Sequence, residues 1–194
     1  MRLPKECNPY MKEWDFMQYL ITYGSQYGST EMYAKVFAEQ TGIPIMQYSE
    51  VKNTITQDMV IHFGALYAGG VMGLKSLSVK LSPDTQLIIV TVGLADVRDS
   101  ENIKNIRKSI QTQITDELFH KAQIFHLRGA INYEKLKFKH KTMMAMLYAK
   151  AKRIPLEEQN AETKAMIETY GKKVDFVDFE SLKPVIEALQ GVMK

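Results

Sequence analysis

Two hydrophobic rhythms alternate along the chain. Residues 18–23 form a short apolar run that reads as a strand and leads directly into Gly24-Ser25-Gln26-Tyr27-Gly28-Ser29-Thr30. Beyond that loop Tyr33, Val36 and Phe37 recur at helical spacing. Ser29 or Thr30 is expected to cap this helix, and Gly42 to end it. Residues 43–48 and 59–64 read as the second and third strands, the third ending in Ala65-Leu66-Tyr67-Ala68-Gly69-Gly70, and a short helix is expected over 71–81. The β-branched run 87–92 has the character of a strand buried on both faces, and it opens into Gly93-Leu94-Ala95-Asp96. From a cap at Ser100, Ile103, Ile106, Ile110 and Ile114 mark one face of a helix of about four turns. A fifth strand over 122–127 meets the turn Arg128-Gly129-Ala130. The basic segment 135–153, a polar helical stretch over 156–170 and a closing helix over 180–190 complete the pattern.

Strands alternating with helices imply βαβ crossovers, and so an α/β domain whose five parallel strands are doubly wound, with helices on both faces. The 194 residues, 45% of them hydrophobic, suit one such domain, and no internal repeat or linker divides them. The 11 Gly and 6 Pro have no period, which excludes collagen-like and low-complexity chains. No run approaches a membrane span, because the longest candidate, 60–74, is broken by His62 and four glycines. Residues 1–15 lack the apolar stretch of a signal peptide, and a single Cys7 permits no internal disulfide. Both point to a reducing, cytoplasmic setting. The net charge of +3 is unevenly spread: residues 135–153 hold seven Lys or Arg and no Asp or Glu, leaving 18 basic against 22 acidic residues elsewhere.

The first strand-to-helix turn carries the most chemistry. Its glycines let the backbone curl, and a helix N-terminus offers unpaired N–H groups and positive dipole to an anion. It has neither the Lys of the ATPase loop nor G-x-G-x-x-G spacing, which disfavours ATP and NAD. The hydroxyls of Ser25, Ser29 and Thr30 suit a phosphate monoester held without Lys or Arg; the plain alternative is an ordinary capped turn.

Residues 19–31, Tyr-Leu-Ile-Thr-Tyr-Gly-Ser-Gln-Tyr-Gly-Ser-Thr-Glu, resemble the FMN phosphate loop of the flavodoxin family. That resemblance implies a five-stranded sheet of order 2-1-3-4-5 and noncovalent FMN. It places Ser25, Gln26, Tyr27, Gly28, Ser29 and Thr30 on the phosphate. Ala65, Leu66, Tyr67, Ala68, Gly69 and Gly70, with Gly93, Leu94, Ala95 and Asp96, then surround the isoalloxazine ring, at the strand ends where ligands of open α/β sheets bind. Tyr67 is the residue to stack on the ring, unless it is a surface tyrosine in a turn. Leu94 and Ala95 give only small contacts where flavodoxins often supply a second aromatic, so one ring face is either thinly covered or covered by something else.

The later chain, Phe125-His126-Leu127-Arg128-Gly129-Ala130-Ile131-Asn132-Tyr133, the basic Met-rich segment, and Val177-Asp178-Phe179, is similar to the menaquinone-dependent protoporphyrinogen IX dehydrogenase type. It implies an FMN-dependent oxidoreductase that dehydrogenates a porphyrinogen and passes electrons to a quinone, at the inner face of the membrane. The alternative is a flavodoxin-type electron carrier serving a redox partner protein, against which a pI near 8.8 counts. The domain then spans 18–194 and 1–17 is an N-terminal extension, with Met17 a candidate for the original start and 1–16 added before it.

In the basic segment, helical spacing gathers Leu136, Met143, Met146 and Leu147 on one side with lysines flanking. Such a helix either lies on an anionic membrane or receives substrate carboxylates, or it packs on its own sheet with a solvated rim. Aromatics are not interleaved along the basic face, so no nucleic acid is expected. His62, His120, His126 and His140 have no partners at ligand spacing, so no metal site is expected, and no catalytic acid or base is assigned.

Overall fold

The computed structural model describes residues 18–192; Cys7 and the expected extension lie outside them. The elements in order are β1 (Tyr19–Gly24), α1 (Ser29–Thr41), β2 (Ile45–Gln47), β3 (Met59–Tyr67), β4 (Gly70–Val71), α2 (Leu74–Ser78), β5 (Gln86–Gly93), α3 (Ser100–Gln111), α4 (Asp116–Lys121), β6 (Gln123–Arg128), β7 (Ala130–Asn132), α5 (Phe138–Ala151), α6 (Ala161–Thr169), β8 (Lys173–Asp175) and α7 (Lys183–Val192). The main sheet runs β2-β1-β3-β5-β6, all parallel, with β4 folded back antiparallel on β3. Counting the parallel strands alone, this is the expected 2-1-3-4-5 order, in an α/β domain of flavodoxin-like architecture.

Strand alternation sends successive side chains to opposite faces. Ile21, Ile61, Phe63, Ile88 and Val90 meet Tyr33 and Phe37 of α1 and Val185 and Leu189 of α7 in one core. Leu20, Val60, Leu87 and Ile89 meet Leu74 and Leu77 of α2 and Ile106 and Ile110 of α3 in the other. A third cluster, Ile131, Tyr133, Leu136 and Met144, lies under α5 and α6 beside the separate β7–β8 ribbon.

Several local expectations are corrected. Gly28, at φ 98°, is the N-cap of α1, and neither Ser29 nor Thr30 caps it by side chain, because both already lie inside the helix. Asp99, not Ser100, caps α3 by accepting from the Asn102 N–H at 2.9 Å, and α3 ends at Gln111, short of Ile114. The helix expected over 71–81 shrinks to Leu74–Ser78, since residues 70–71 pair with β3. Residues 156–160 form a turn before α6 begins at Ala161. The turn at 128–130 continues into β7, whose partner β8 lies some forty residues on, too far for a local pattern to reveal. Leu136, just before α5, and Met144 within it are buried, whereas Met146 is 65% exposed and Leu147 is also exposed. The helix therefore buries a face rotated from the one expected.

Candidate functional site

The loops that follow β1, β3 and β5 converge on one cavity of about 610 Å³. Of the expected site residues, Gln26, Tyr27, Ser29, Thr30, all of 65–70, and Gly93, Leu94 and Ala95 line it. Ser25, Gly28 and Asp96 do not, each for a local reason. Ser25 turns its hydroxyl back to accept from the Gly28 N–H at 3.1 Å, closing the first loop on itself. Gly28 supplies only backbone, at a φ that L side chains rarely adopt. Asp96 points outward to Arg98 at 3.0 Å, and that guanidinium holds its carboxyl down at about 2.

At one end of the cavity stands the N-terminus of α1, whose first-turn N–H groups have no acceptor within the helix. Ser29 and Thr30 line the cavity beside it. No Lys or Arg lines the cavity among the described residues, and Glu162 is the charged residue there. A phosphate seated at this end would be held by neutral donors and the helix dipole. The residues thus fit a flavin mononucleotide in the donor chemistry of this end.

At the other end the β3–β4 hairpin turns through Ala68 and Gly69, both at positive φ (51° and 80°), the pattern of a two-residue type I′ loop. Sequence reasoning missed what holds this hairpin. Ser109 Oγ donates to the Gly69 carbonyl at 2.6 Å, and Gln113 Oε1 accepts from the Val71 N–H at 3.2 Å. The loop after β5 is pinned likewise: Asn102 Nδ2 donates to the Asp96 carbonyl at 2.8 Å, and Arg128 Nη2 to the Leu94 carbonyl at 2.8 Å. The signal was present in part, since Asn102 and Ser109 stand seven residues apart beside the isoleucine face of α3, with Gln113 just past its end.

The roof is also new. Met143, Met144 and Leu147 of α5 and Ala165 and Met166 of α6 close over the cavity, and Leu94 packs into their cluster. The weak cover expected beside Leu94 and Ala95 is thus supplied by these two helices. Tyr148 and Tyr170 stack at 3.9 Å, and Tyr170 meets the buried Tyr133 edge-on at 5.3 Å, tying α5 to the segment behind α6. At the mouth, His140 of α5 stands edge-on to Tyr27 (5.9 Å) and Tyr67 (6.5 Å), with Gln26 Nε2 3.4 Å from its ring. The Tyr67 hydroxyl donates to Met143 Sδ at 3.7 Å. Outside this aromatic trio lies a second, shallow groove of about 490 Å³, lined by Tyr67, Phe138, His140, Thr142, Met143 and Met146. Phe138 is 86% exposed on its rim.

Among the described residues no three His, Cys, Asp or Glu side chains gather as a metal site would need, and no helix is long and apolar enough to cross a membrane. His62 and His126 instead pair with their cross-strand neighbours Thr22 and Thr91, at 2.9 and 2.7 Å.

The model of the flavodoxin domain family matches residues 20–155, a stretch that includes the basic helix α5. No curated protein matches the chain. Among solved structures, the chain is similar to a candidate flavoprotein from Bacteroides uniformis at 14% identity and a TM-score of 0.44, over 58% of this chain and 91% of that one.

Proposed function

The chain belongs to the flavodoxin domain family, and on that premise we propose that it is an FMN-dependent oxidoreductase that turns over a small molecule of its own. The phosphate would sit on the α1 N-terminus with Ser29 and Thr30, and the ring between the Tyr67 hairpin and the loop at 93–95. When bound, the flavin supplies the two-electron chemistry. The protein's own residues orient and enclose it: Ser109 and Gln113 hold the hairpin, Asn102 and Arg128 hold the second loop, and the methionines of α5 and α6 exclude water from above.

The roof is the observation that carries this reading. A carrier must present its flavin edge to a protein partner, whereas α5 and α6 close the cavity with apolar side chains and leave an adjoining groove of small-molecule size. For that groove we propose a porphyrinogen as substrate and a quinone as electron acceptor. The main cavity offers such a macrocycle no cation for its carboxylates, but Lys137, at the start of the groove-wall helix α5, and Lys141 on it are exposed. The same basic helix, with Phe138 and Met146 exposed, is proposed to touch an anionic membrane face.

The test is anaerobic conversion of protoporphyrinogen to fluorescent protoporphyrin by FMN-loaded protein, with a menaquinone analogue as acceptor and free FMN as blank. Turnover above the blank is expected. Absence of turnover by a protein whose flavin is bound and reducible would shift the assignment to an electron carrier.

A further inference from the structure

The carbonyl of Met72 lies between Gly24, at the root of the loop after β1, and His62 of β3. His62, on β3, is fully buried, with Nε2 2.9 Å from that carbonyl and Nδ1 2.9 Å from Thr22 Oγ1. A carbonyl only accepts, so Nε2 carries a proton. Burial pushes the imidazole down to about 4, so it is neutral throughout the physiological range, and Nδ1 then accepts from the Thr22 hydroxyl.

Met72 is held from its other end as well, its N–H donating to the Ala65 carbonyl at 2.9 Å. These bonds fasten the foot of the hairpin that carries Tyr67. Gly24, the last residue of β1 before the first loop, packs on the same carbonyl: a Cβ there would come within 2.5 Å of the Met72 oxygen. One carbonyl thus touches the root of the first loop while anchoring the second.

We propose that His62 is a positioning residue that sets the spacing between the first loop and the Tyr67 hairpin by holding the Met72 carbonyl against Gly24. It does not line the cavity, and it acts through the Met72 carbonyl while Thr22 holds its other ring nitrogen. The consequence for cofactor affinity rests on the cavity being a flavin site; the consequence for the hairpin does not.

The test compares His62→Gln, which keeps a donor and an acceptor, with His62→Leu, which keeps bulk and loses both. In flavin-free protein, amide hydrogen exchange over 65–72 should speed up about tenfold or more in His62→Leu, while 87–92 on β5 stays protected. His62→Gln should return exchange to near the native rate. With flavin, His62→Leu should weaken FMN binding about tenfold and alter the visible circular dichroism of the bound flavin, and His62→Gln should restore both. Native exchange at 65–72 in His62→Leu, or a uniform rise that includes β5, would overturn the proposal. Should His62→Leu not fold, Thr22→Val, which removes only the bond to Nδ1, is expected to give the same local loosening at smaller size, and unchanged exchange would overturn it. A native protein that binds no flavin, with the exchange pattern as expected, would remove the flavin reading and leave the positioning role standing.

Discussion

Tyr33 shows how one buried side chain ties distant segments together. Its hydroxyl donates to the Arg128 carbonyl at 2.9 Å and accepts from the Asp178 N–H at 2.8 Å, and Phe179 covers the ring edge-on at 5.5 Å. Tyr33→Phe removes the shared partner of two part-buried backbone groups, so a loss of about 1 kcal/mol is expected in urea unfolding, and no measurable change would contradict it. The two strand histidines give a second residue-scale expectation. Burial holds His62 at about 4, and burial with the nearby Arg107 charge holds His126 at about 4, against 6.5 when exposed. As pH falls below 6.5 the unfolded chain takes up protons that the native chain refuses. Their stabilisation is therefore complete above 6.5 and is lost progressively down to about 4. Urea midpoints measured across pH 7 to 4 should fall through that window. Replacing both residues by Gln should flatten the fall.

At the scale of elements, the β3–β4 hairpin and α5 carry the site's character. Ala68 occupies a left-handed position that costs an L-residue about 1 kcal/mol. Ala68→Asn creates the Asn-Gly pair that a type I′ loop prefers and should raise the melting temperature by a few degrees; a fall would mean that the alanine methyl is needed where it lines the cavity. Charge reversal at Lys137, Lys139 and Lys141 should weaken binding to anionic vesicles; unchanged binding would remove the membrane contact. The strands and α1, α3 and α7 were legible because their apolar periods run uninterrupted, as in Ile106 and Ile110 or Val90 and Val92. The hairpin at 70–71 was not, because Gly-Gly-Val carries no period and its pairing is set by the turn at Ala68. The buried face of α5 was misread because Met143, Met144, Met146 and Leu147 leave no single apolar side, and only the packing of α6 and Tyr170 selects Met144. That the loops after three strands meet at one cavity was readable from the strand ends, whereas Ser25, Gly28 and Asp96, named with them, do not line it. The polar residues along α3 and the roof needed the fold, because both act on segments far away in sequence.

The whole molecule divides its labour between a rigid sheet and a built-on cover. Five parallel strands fix the ends of three loops, while the cover formed by α5, α6 and the β7–β8 ribbon rests on its own small cluster around Tyr133 and Met144. The proposal of a small-molecule substrate beside a flavin rests on that cover. The central claim is that the phosphate of FMN is held at the start of α1 by neutral donors. It is tested most directly by titrating the flavin-free protein with FMN and, separately, with riboflavin, following flavin fluorescence, in the native chain and in Ser29→Ala/Thr30→Ala. The expected result is one FMN per chain, bound at least about a hundredfold more tightly than riboflavin, with most of that preference lost in the double variant. Equal affinity for the two flavins, or no binding of either, would contradict it.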